Sequence, residues 1–193
     1  MTHELTVTGT LRIRPIQAAD LQPLKSFMHE LSPGTLYFRF GRLSMPVWSE
    51  AHWHSLCSPD SSKAAHFIAT HVKQPGQYSI IGMARLVLHA DSEQAEFSIV
   101  LADQMQGHGI GTQLMQALVG EARRLGLNSI YGDVLPSNQS MLSFCKGLGF
   151  ASHACPDDDR LYRMVLNIKP ALQARSRACN SPAENHLLAR QMG

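Results

Sequence analysis

The stretch QGHGIGT, residues 106–112, is the feature that most constrains the fold of this chain. It lies between the apolar run FSIVL and the amphipathic run QLMQALVGEARRLG, so we expect a strand before it and a helix after it. A glycine-rich loop that runs directly into a helix leaves several backbone N–H groups without intrahelical partners, and it keeps side chains away from them. Such N–H groups, together with the positive end of the helix dipole, favour a bound phosphate.

Two common phosphate-binding loops do not match the glycine spacing. The pattern GxxxxGK[ST] is absent from the sequence. The dinucleotide-binding pattern GxGxxG, started at Gly107, needs a third glycine where the chain has Thr112. The next suitably distant acid, Asp133, falls inside a predicted strand rather than at its end. The spacing therefore argues against both a P-loop and a dinucleotide-binding fold.

The hydrophobic periodicity predicts alternating segments in the order β-α-(α)-β-β-β-α-β-α-β-β. Asp20 is the predicted N-cap of the first helix, and Ser137 or Asn138 caps the last one. The predicted strands are 11–16, 64–72, 78–89, 94–101, 128–135, 150–155 and 159–168, and the predicted helices are 21–32, one or two short ones within 33–58, 109–125 and 137–149. Too many strands follow one another for a doubly wound parallel sheet. We expect a mixed α/β fold of the α+β type, with a largely antiparallel sheet of six to seven strands flanked by helices.

Length and composition indicate one domain with a tail. A chain of 193 residues is long enough for one well-buried core, which we assign to residues 1–168. Residues 169–193 are polar, contain two prolines and show no periodicity, so we expect a loose tail there. The formal net charge of +2 gives no electrostatic case for nucleic acid. No apolar run reaches membrane-spanning length, and four scattered cysteines fit a reduced, cytoplasmic protein without a membrane partner.

The glycine loop fits a third pattern, Gln/Arg-x-x-Gly-x-Gly/Ala after an antiparallel strand, through Gln106, Gly109 and Gly111. With the flanking AEFSIVL and the later GLGF, it resembles the GNAT superfamily of N-acetyltransferases, over roughly residues 11–167 and most specifically over 93–150. Residues 11–40 are similar to the acetyltransferase region at the end of bacterial protein lysine acetyltransferases. The large domain that precedes that region in those proteins has no counterpart in this sequence.

The resemblance implies acetyl-CoA as the co-substrate. In the family, the strand before the loop parts from its neighbour at a bulge, and exposed backbone groups pair with the pantetheine arm while the loop N–H groups hold the pyrophosphate. The imidazole of His108 is expected to point to solvent. The expected acetyl-CoA-binding residues are Ile99, Val100, Leu101, Gln106, Gly107, His108, Gly109, Ile110, Gly111, Thr112 and Asn138.

Acetyl transfer to an amine needs a base, because an ammonium has no lone pair with which to attack the thioester. The resemblance places a catalytic glutamate in the AEF segment, at Glu96. Glu93 is the nearest competitor, in the predicted turn before the strand. A glutamate on a strand also commonly faces solvent without any chemical role, so that interpretation stays open.

The departing thiolate needs a proton or a hydrogen bond, and many members of the family supply it from a tyrosine. That position here is Cys145, which is either a weak proton donor or a small core residue. Asn138 matches a family asparagine that contacts the pantetheine arm or the acceptor, and it fits an N-cap role equally well. Phe27, Tyr37, Phe38, Phe40 and Trp48 belong either to an acceptor-side wall or to the core.

The sequence thus indicates an N-acetyltransferase that moves an acetyl group from acetyl-CoA to a primary amine by direct attack in a ternary complex. The acceptor is a lysine side chain, an N-terminus, an amino acid or a small amine. The resemblance also leaves a homodimer open, because small enzymes of the family often pair. No metal is expected, because His52 and His54 lack a carboxylate or cysteine at ligand spacing. The alternatives are an acetyl-CoA-binding sensor with weak chemistry and another kind of nucleotide-binding module.

Overall fold

The computed structural model describes residues 10–74, 76–89 and 93–168. Residues 1–9 of the predicted domain and the predicted tail, 169–193, lie outside the described residues. The strands are β1 Thr10–Pro15, β2 Ala64–Gln74, β3 Gln77–Leu88, β4 Gln94–Leu101, β5 Ser129–Val134, β6 Ala151–Ala154 and β7 Tyr162–Asn167. The α-helices are α1 Leu21–His29, α2 Pro33–Phe40, α3 Glu50–Cys57, α4 Ile110–Arg124 and α5 Gln139–Gly147, and short 3₁₀ turns occupy Ala18–Asp20 and Asp103–Met105.

The strands form one seven-stranded sheet in the order β1-β2-β3-β4-β5-β7-β6. All neighbouring pairs are antiparallel except β4 and β5, which run parallel. The predicted fold class is therefore confirmed: a mixed, largely antiparallel sheet with helices on both faces. Within the described residues, no helix has both the length and the apolar character needed to cross a bilayer.

Two hydrophobic clusters lie on the two faces of the sheet. One contains buried residues of α4 and α5, and the other contains buried residues of α1, α2 and α3. Strand β4 contributes to both, because successive side chains of a strand point to opposite faces. Ala95 and Phe97 belong to the cluster of α4 and α5, whereas Val100 belongs to the cluster of α1, α2 and α3. Residues 96 and 98 share the face of Val100.

The region predicted to hold one or two short helices contains two, α2 and α3, separated by residues 41–49. Each begins at a serine N-cap. The Oγ of Ser32 accepts a hydrogen bond from the N–H of Thr35, and the Oγ of Ser49 accepts one from the N–H of His52. These caps satisfy N–H groups that a helix cannot pair internally.

Asp20 is the N-cap residue of α1, as predicted, but its side chain makes no capping hydrogen bond to that helix. Its buried carboxylate forms an ion pair with Arg14 at 2.6 Å and accepts hydrogen bonds from the Tyr78 hydroxyl and from the N–H of Gln17, so it is not available to α1. Burial by itself raises the pKa of Asp20, but the hydrogen bonds from Arg14, Tyr78 and Gln17 outweigh it and hold the pKa below its usual value. Asp20 thereby joins β1, the first 3₁₀ turn and β3.

Strands β4 and β5 separate after three paired residues. The parallel register runs from Gln94 opposite Ser129 to Glu96 opposite Tyr131, and no later residue of β4 pairs with β5 in the described structure. The ring of Phe97 lies over Gly132, where a Cβ would come within 2.8 Å of the ring, and it packs edge-on against Phe150 with centroids 5.2 Å apart. The ring thus packs across Gly132 on the face of the sheet covered by α4 and α5, at the position where the pairing ends.

The predicted bulge at this point is wrong. The pairing of β4 with β3 is continuous from Ala95 to Leu101, with no shift of register. The strands instead part directly after Glu96, where the next residue, Phe97, packs its ring over Gly132 of β5.

We predict that Gly132→Ala destabilises the fold by about 1–3 kcal/mol, because the added methyl group would overlap the Phe97 ring. Gly120→Ala is the matched control: Gly120 lies within α4, and a Cβ there meets nothing within 4 Å. That change should be neutral or stabilising by up to about 1 kcal/mol. Urea denaturation of the two variants measures both effects, and equal stability of the two would contradict the steric role of Phe97.

Candidate functional site

The glycine loop connects the 3₁₀ turn Asp103–Met105 to the start of α4 at Ile110. Gly107 and Gly109 have φ angles of 77° and 76°, in the left-handed region that L side chains rarely adopt. A Cβ at either position would meet nothing within 4 Å. The glycines are therefore required by the path of the backbone, and the space beside them is open.

The backbone N–H groups of residues 107–112 have no hydrogen-bond acceptor among the described residues. The next backbone N–H along the chain, that of Gln113, is paired: it donates to the carbonyl of Gly109 at 3.3 Å. The described part of the chain therefore leaves a run of unpaired donors at the positive end of a 15-residue helix. This arrangement suits an anionic group with several oxygens, such as a diphosphate.

The side chains of Gln106 and His108 form hydrogen bonds that hold the loop in place. The Nδ1 of His108 donates to the carbonyl of Gln106 at 2.8 Å, so the exposed imidazole bonds the loop itself. The side-chain amide of Gln106 donates to the hydroxyl of Thr35 on α2 at 3.4 Å. Gln106 thus contacts the neighbouring helix as well as the loop.

Asp103 fixes α2 against the turn before the loop, a contact that the sequence analysis missed. Its carboxylate accepts hydrogen bonds from the N–H and Oγ of Ser32, at 3.0 and 2.6 Å, and from the Oγ of Thr35 at 2.7 Å. Burial raises the pKa of Asp103, but these hydrogen bonds outweigh it and lower the pKa overall. Ser32 and Asp103 lie 71 residues apart in the chain, so no local sequence pattern indicates this contact.

The gap between β4 and β5 begins where their pairing ends and continues to the glycine loop. Along residues 97–101 the β5-facing edge of β4 has no strand partner in the described structure. Ile99 and Leu101 pack toward α4, and Val100 is buried on the opposite face. The predicted pantetheine-binding residues therefore lie on an unpaired backbone edge.

Glu96 lies at the closed end of this gap. It is the last residue of β4 that pairs with β5, and its side chain is exposed. Glu93 lies before the start of β4, and its carbonyl accepts the N–H of Asn128 at 2.7 Å. Of the two candidate bases, Glu96 is the one at the point of separation.

Cys145 does not lie in the gap. Its side chain is fully buried in the core beside α4, and burial raises the pKa of the thiol to about 12. Full burial and a raised pKa favour the core interpretation of Cys145 over the proton-donor interpretation. Helix α5 turns this face inward because Leu142, one turn earlier, packs into the same core.

Asn138 is the N-cap of α5. Its Oδ1 accepts the N–H of Met141 at 3.1 Å, which satisfies one of the N–H groups of the first turn. Its side-chain NH₂ has no partner among the described residues. The N-cap role is therefore observed, and the NH₂ group remains available as a donor.

The aromatic residues of the predicted acceptor-side wall divide into three groups. Phe27 is buried in the core, and Tyr37 and Phe38 are exposed. Phe40 and Trp48 pack edge-on at 5.5 Å and line a cleft on the face of the sheet that carries Glu96. Two arginines, Arg39 and Arg85, line the same cleft, and the sequence analysis did not identify them.

One cluster of metal-ligand atoms occurs in the described residues, formed by Asp133, Cys155 and Asp157. The guanidinium of Arg163 bonds all three, at 2.7 Å to Asp133, 2.8 Å to Asp157 and 3.6 Å to the sulfur of Cys155. A side-chain cation already occupies this position.

Comparison with known proteins agrees with this geometry. The model of the acetyltransferase (GNAT) family matches residues 26–150. A Pseudomonas aeruginosa protein named acetyltransferase PA5475 is 31% identical over 157 residues, which cover 80% of this chain and 83% of that protein. The acetyltransferase Pat of Mycolicibacterium smegmatis is 30% identical over 138 residues, covering 71% of this chain and 40% of Pat.

Solved structures share the fold. The GNAT domain of S. lividans PAT superposes with a TM-score of 0.72 at 25% identity, over 82% of this chain and 91% of that domain. Spermidine N-acetyltransferase from Vibrio cholerae, solved in complex with CoA and spermine, gives a TM-score of 0.63 at 20% identity, over 81% of this chain and 95% of that one.

The family match spans the parted strands, the glycine loop and α5 together. This chain belongs to the acetyltransferase (GNAT) family.

Proposed function

We propose that the protein transfers an acetyl group from acetyl-CoA to a primary amine by direct attack in a ternary complex. The observation that carries the proposal is the continuity of two features: the unpaired N–H groups of residues 107–112 and the unpaired edge of β4 that ends at Glu96. The fold neighbour from Vibrio cholerae was solved with CoA, which supports the same co-substrate here.

Each part of the co-substrate has a matching protein group. The N–H groups of residues 107–112 bind the diphosphate. Main-chain groups of Ile99 and Leu101 pair with the amides of the pantetheine arm, in place of the missing β5 partner, and the NH₂ of Asn138 is a further donor. The arm then leads the thioester toward the closed end of the gap.

Glu96 acts as the general base at that end. It accepts a proton from the acceptor ammonium, directly or through water, and the neutral amine attacks the carbonyl carbon of the thioester. Because the Glu96 side chain is exposed, it can pass the proton on to solvent. After Glu96 has passed the first proton to solvent, it accepts a second one from the positively charged nitrogen of the tetrahedral intermediate. The C–S bond then breaks, the sulfur leaves as a thiolate and the neutral acetamide forms.

The leaving thiolate does not require a side-chain acid in this proposal. An unperturbed thiol has a pKa of about 8.5, so a thiolate is stable enough to leave and take its proton from water. The burial of Cys145 also favours a second candidate function, a sensor that binds acetyl-CoA with little chemistry, because no donor occupies the position of the family tyrosine.

We expect Glu96→Gln to lower the rate of acetyl transfer by about 10²–10⁴ while leaving the dissociation constant of acetyl-CoA nearly unchanged. The residual rate should rise toward alkaline pH, where more acceptor amine is neutral. Thiol release measures transfer and calorimetry measures binding. Glu93→Gln, at the other end of β4, is the control and should keep its activity. An unchanged rate in Glu96→Gln would remove the base role from Glu96, whereas tight binding of acetyl-CoA without transfer by the wild-type protein would favour the sensor.

Gly109→Ala should weaken acetyl-CoA binding by about tenfold or more, because a Cβ at φ 76° strains the backbone and displaces the N–H groups of the loop. Gly126→Ala imposes a similar strain at φ 72° just beyond the other end of α4, where a Cβ also meets nothing within 4 Å. Both variants should lose a similar amount of stability, and only the first should lose affinity. Equal affinities by calorimetry would show that the loop is only a turn.

Cys145→Ala should keep the rate of transfer within about twofold and lower the melting temperature, because the change removes a fully buried sulfur from the core. Thiol-release kinetics and thermal unfolding measure the two effects. A large loss of rate at an unchanged melting temperature would instead restore the thiol as the proton donor.

A further inference from the structure

Two arginines lie close together on the acceptor side of the sheet. Arg39 is near the end of α2, and Arg85 is on β3 directly opposite Ser98 of β4. Both line a cleft whose other walls are apolar, formed by Met28, Phe40, Trp48, Leu56, Met83 and Val100. The cleft has an empty volume of about 240 Å³, a figure that includes open solvent.

Neutral groups hold both guanidinium groups in place. The Nη2 of Arg39 donates to the Oγ of Ser98 at 2.9 Å. The Nε of Arg85 donates to the Nε2 of His66 at 3.2 Å, while the Nδ1 of His66 donates to the carbonyl of Leu56 at 2.8 Å. Burial lowers the pKa of His66 to about 4, so the imidazole is neutral and accepts from Arg85. The two Nη groups of Arg85 have no acceptor among the described residues.

Neither arginine forms an ion pair with a carboxylate among the described residues. By contrast, Arg14, Arg124 and Arg163 each do, at 2.6–2.7 Å. Burial lowers the pKa of Arg39 to about 10, and the neighbouring charge of Arg85 acts in the same direction. Two partly desolvated like charges without a counterion are unfavourable, and an anion between them would relieve both costs.

The nearest opposing charge is Glu96, which acts on both arginines without touching either. Glu96 and Ser98 are alternate residues of β4 and so share one face. The acceptor side of the site therefore presents the negative charge of Glu96 at the end of the gap. The positive charges of Arg39 and Arg85 lie beside Ser98, two residues further along β4. A zwitterion has the complementary arrangement, whereas a polyamine would place a second cation beside the arginines.

We propose that the acceptor is a free α-amino acid, whose carboxylate binds Arg39 and Arg85 while its amine lies at Glu96. This inference rests on the proposed function and specifies its acceptor. Arg85 supplies two Nη donors on one guanidinium, and Arg39 is oriented by Ser98, so the carboxylate can accept from both. His66 is a positioning residue that acts through Arg85.

The test compares acceptors that differ only in the carboxylate. Transfer is measured by thiol release with leucine, phenylalanine and methionine, with their α-amides, and with spermidine. The proposal expects kcat/KM for an amino acid to exceed that for its amide by about tenfold or more. Because an α-amide has the more readily neutralised amine, this comparison is biased against the proposal. A preference for the amides or for spermidine overturns it.

Variants of the full-length chain locate the effect. Arg39→Gln and Arg85→Gln should each raise KM for the amino acid by about tenfold, with little change for the amide or in the KM of acetyl-CoA. Arg42→Gln removes the same charge from an exposed position in the segment after α2 and should have no effect. Arg39→Lys and Arg85→Lys keep the charge and control for loss of folding. Their KM values for the amino acid should lie between those of the wild type and of the glutamine variants. If KM changes equally for acid and amide, the arginines do not bind the carboxylate.

Failure of this inference is distinguishable from failure of the proposed function. Calorimetry of the wild-type protein with CoA present and N-acetyl-leucine, N-acetyl-phenylalanine or N-acetyl-methionine as ligand reports the carboxylate subsite without any turnover. Binding that is lost in Arg85→Gln supports the subsite even if no transfer is detected. Absence of binding together with measurable transfer to a lysine peptide overturns the inference and leaves the acetyltransferase proposal intact.

Discussion

The separation of β4 from β5 is the constraint on which the rest of the structure depends. Two adjacent parallel strands normally pair along their whole overlap, because unpaired backbone groups are costly. Here the pairing stops after Glu96, where the Phe97 ring occupies the space above Gly132. In the proposed function, the amide groups of the pantetheine arm pair with these backbone groups. The unpaired edge and Glu96 lie side by side at the point where the pairing ends.

The two faces of β4 contribute to different parts of the site. The side chains of Phe97, Ile99 and Leu101 anchor the strand to the core of α4 and α5, so that α4 begins where the strand leads. Glu96 and Ser98 point to the opposite face, toward Arg39 and Arg85. Because the backbone edge lies between these faces, the proposed function has the co-substrate and the acceptor approach the same few residues from different directions.

The sequence predicted what depends on local pattern and missed what depends on distant contacts. The order of the strands and helices followed from hydrophobic periodicity, and the glycine loop followed from its spacing and position. The capping bond expected from Asp20 is absent because its carboxylate bonds Arg14 and Tyr78, which are tertiary contacts. The sequence left two interpretations of Cys145 open, because its burial depends on how α5 packs. It missed Arg39 and Arg85, which lie 46 residues apart in the chain and look like ordinary surface charges.

Asp103 has a consequence for how the two ligands communicate. Helix α2 is fastened at its first turn to the segment that carries the glycine loop, and near its other end it bears Arg39. A helix of eight residues moves as a rigid rod about 12 Å long, so a displacement at one end is transmitted to the other. Under the proposed function, α2 therefore links the diphosphate site to the acceptor site. Any change that one ligand makes in the affinity of the other is then matched by the same factor in return.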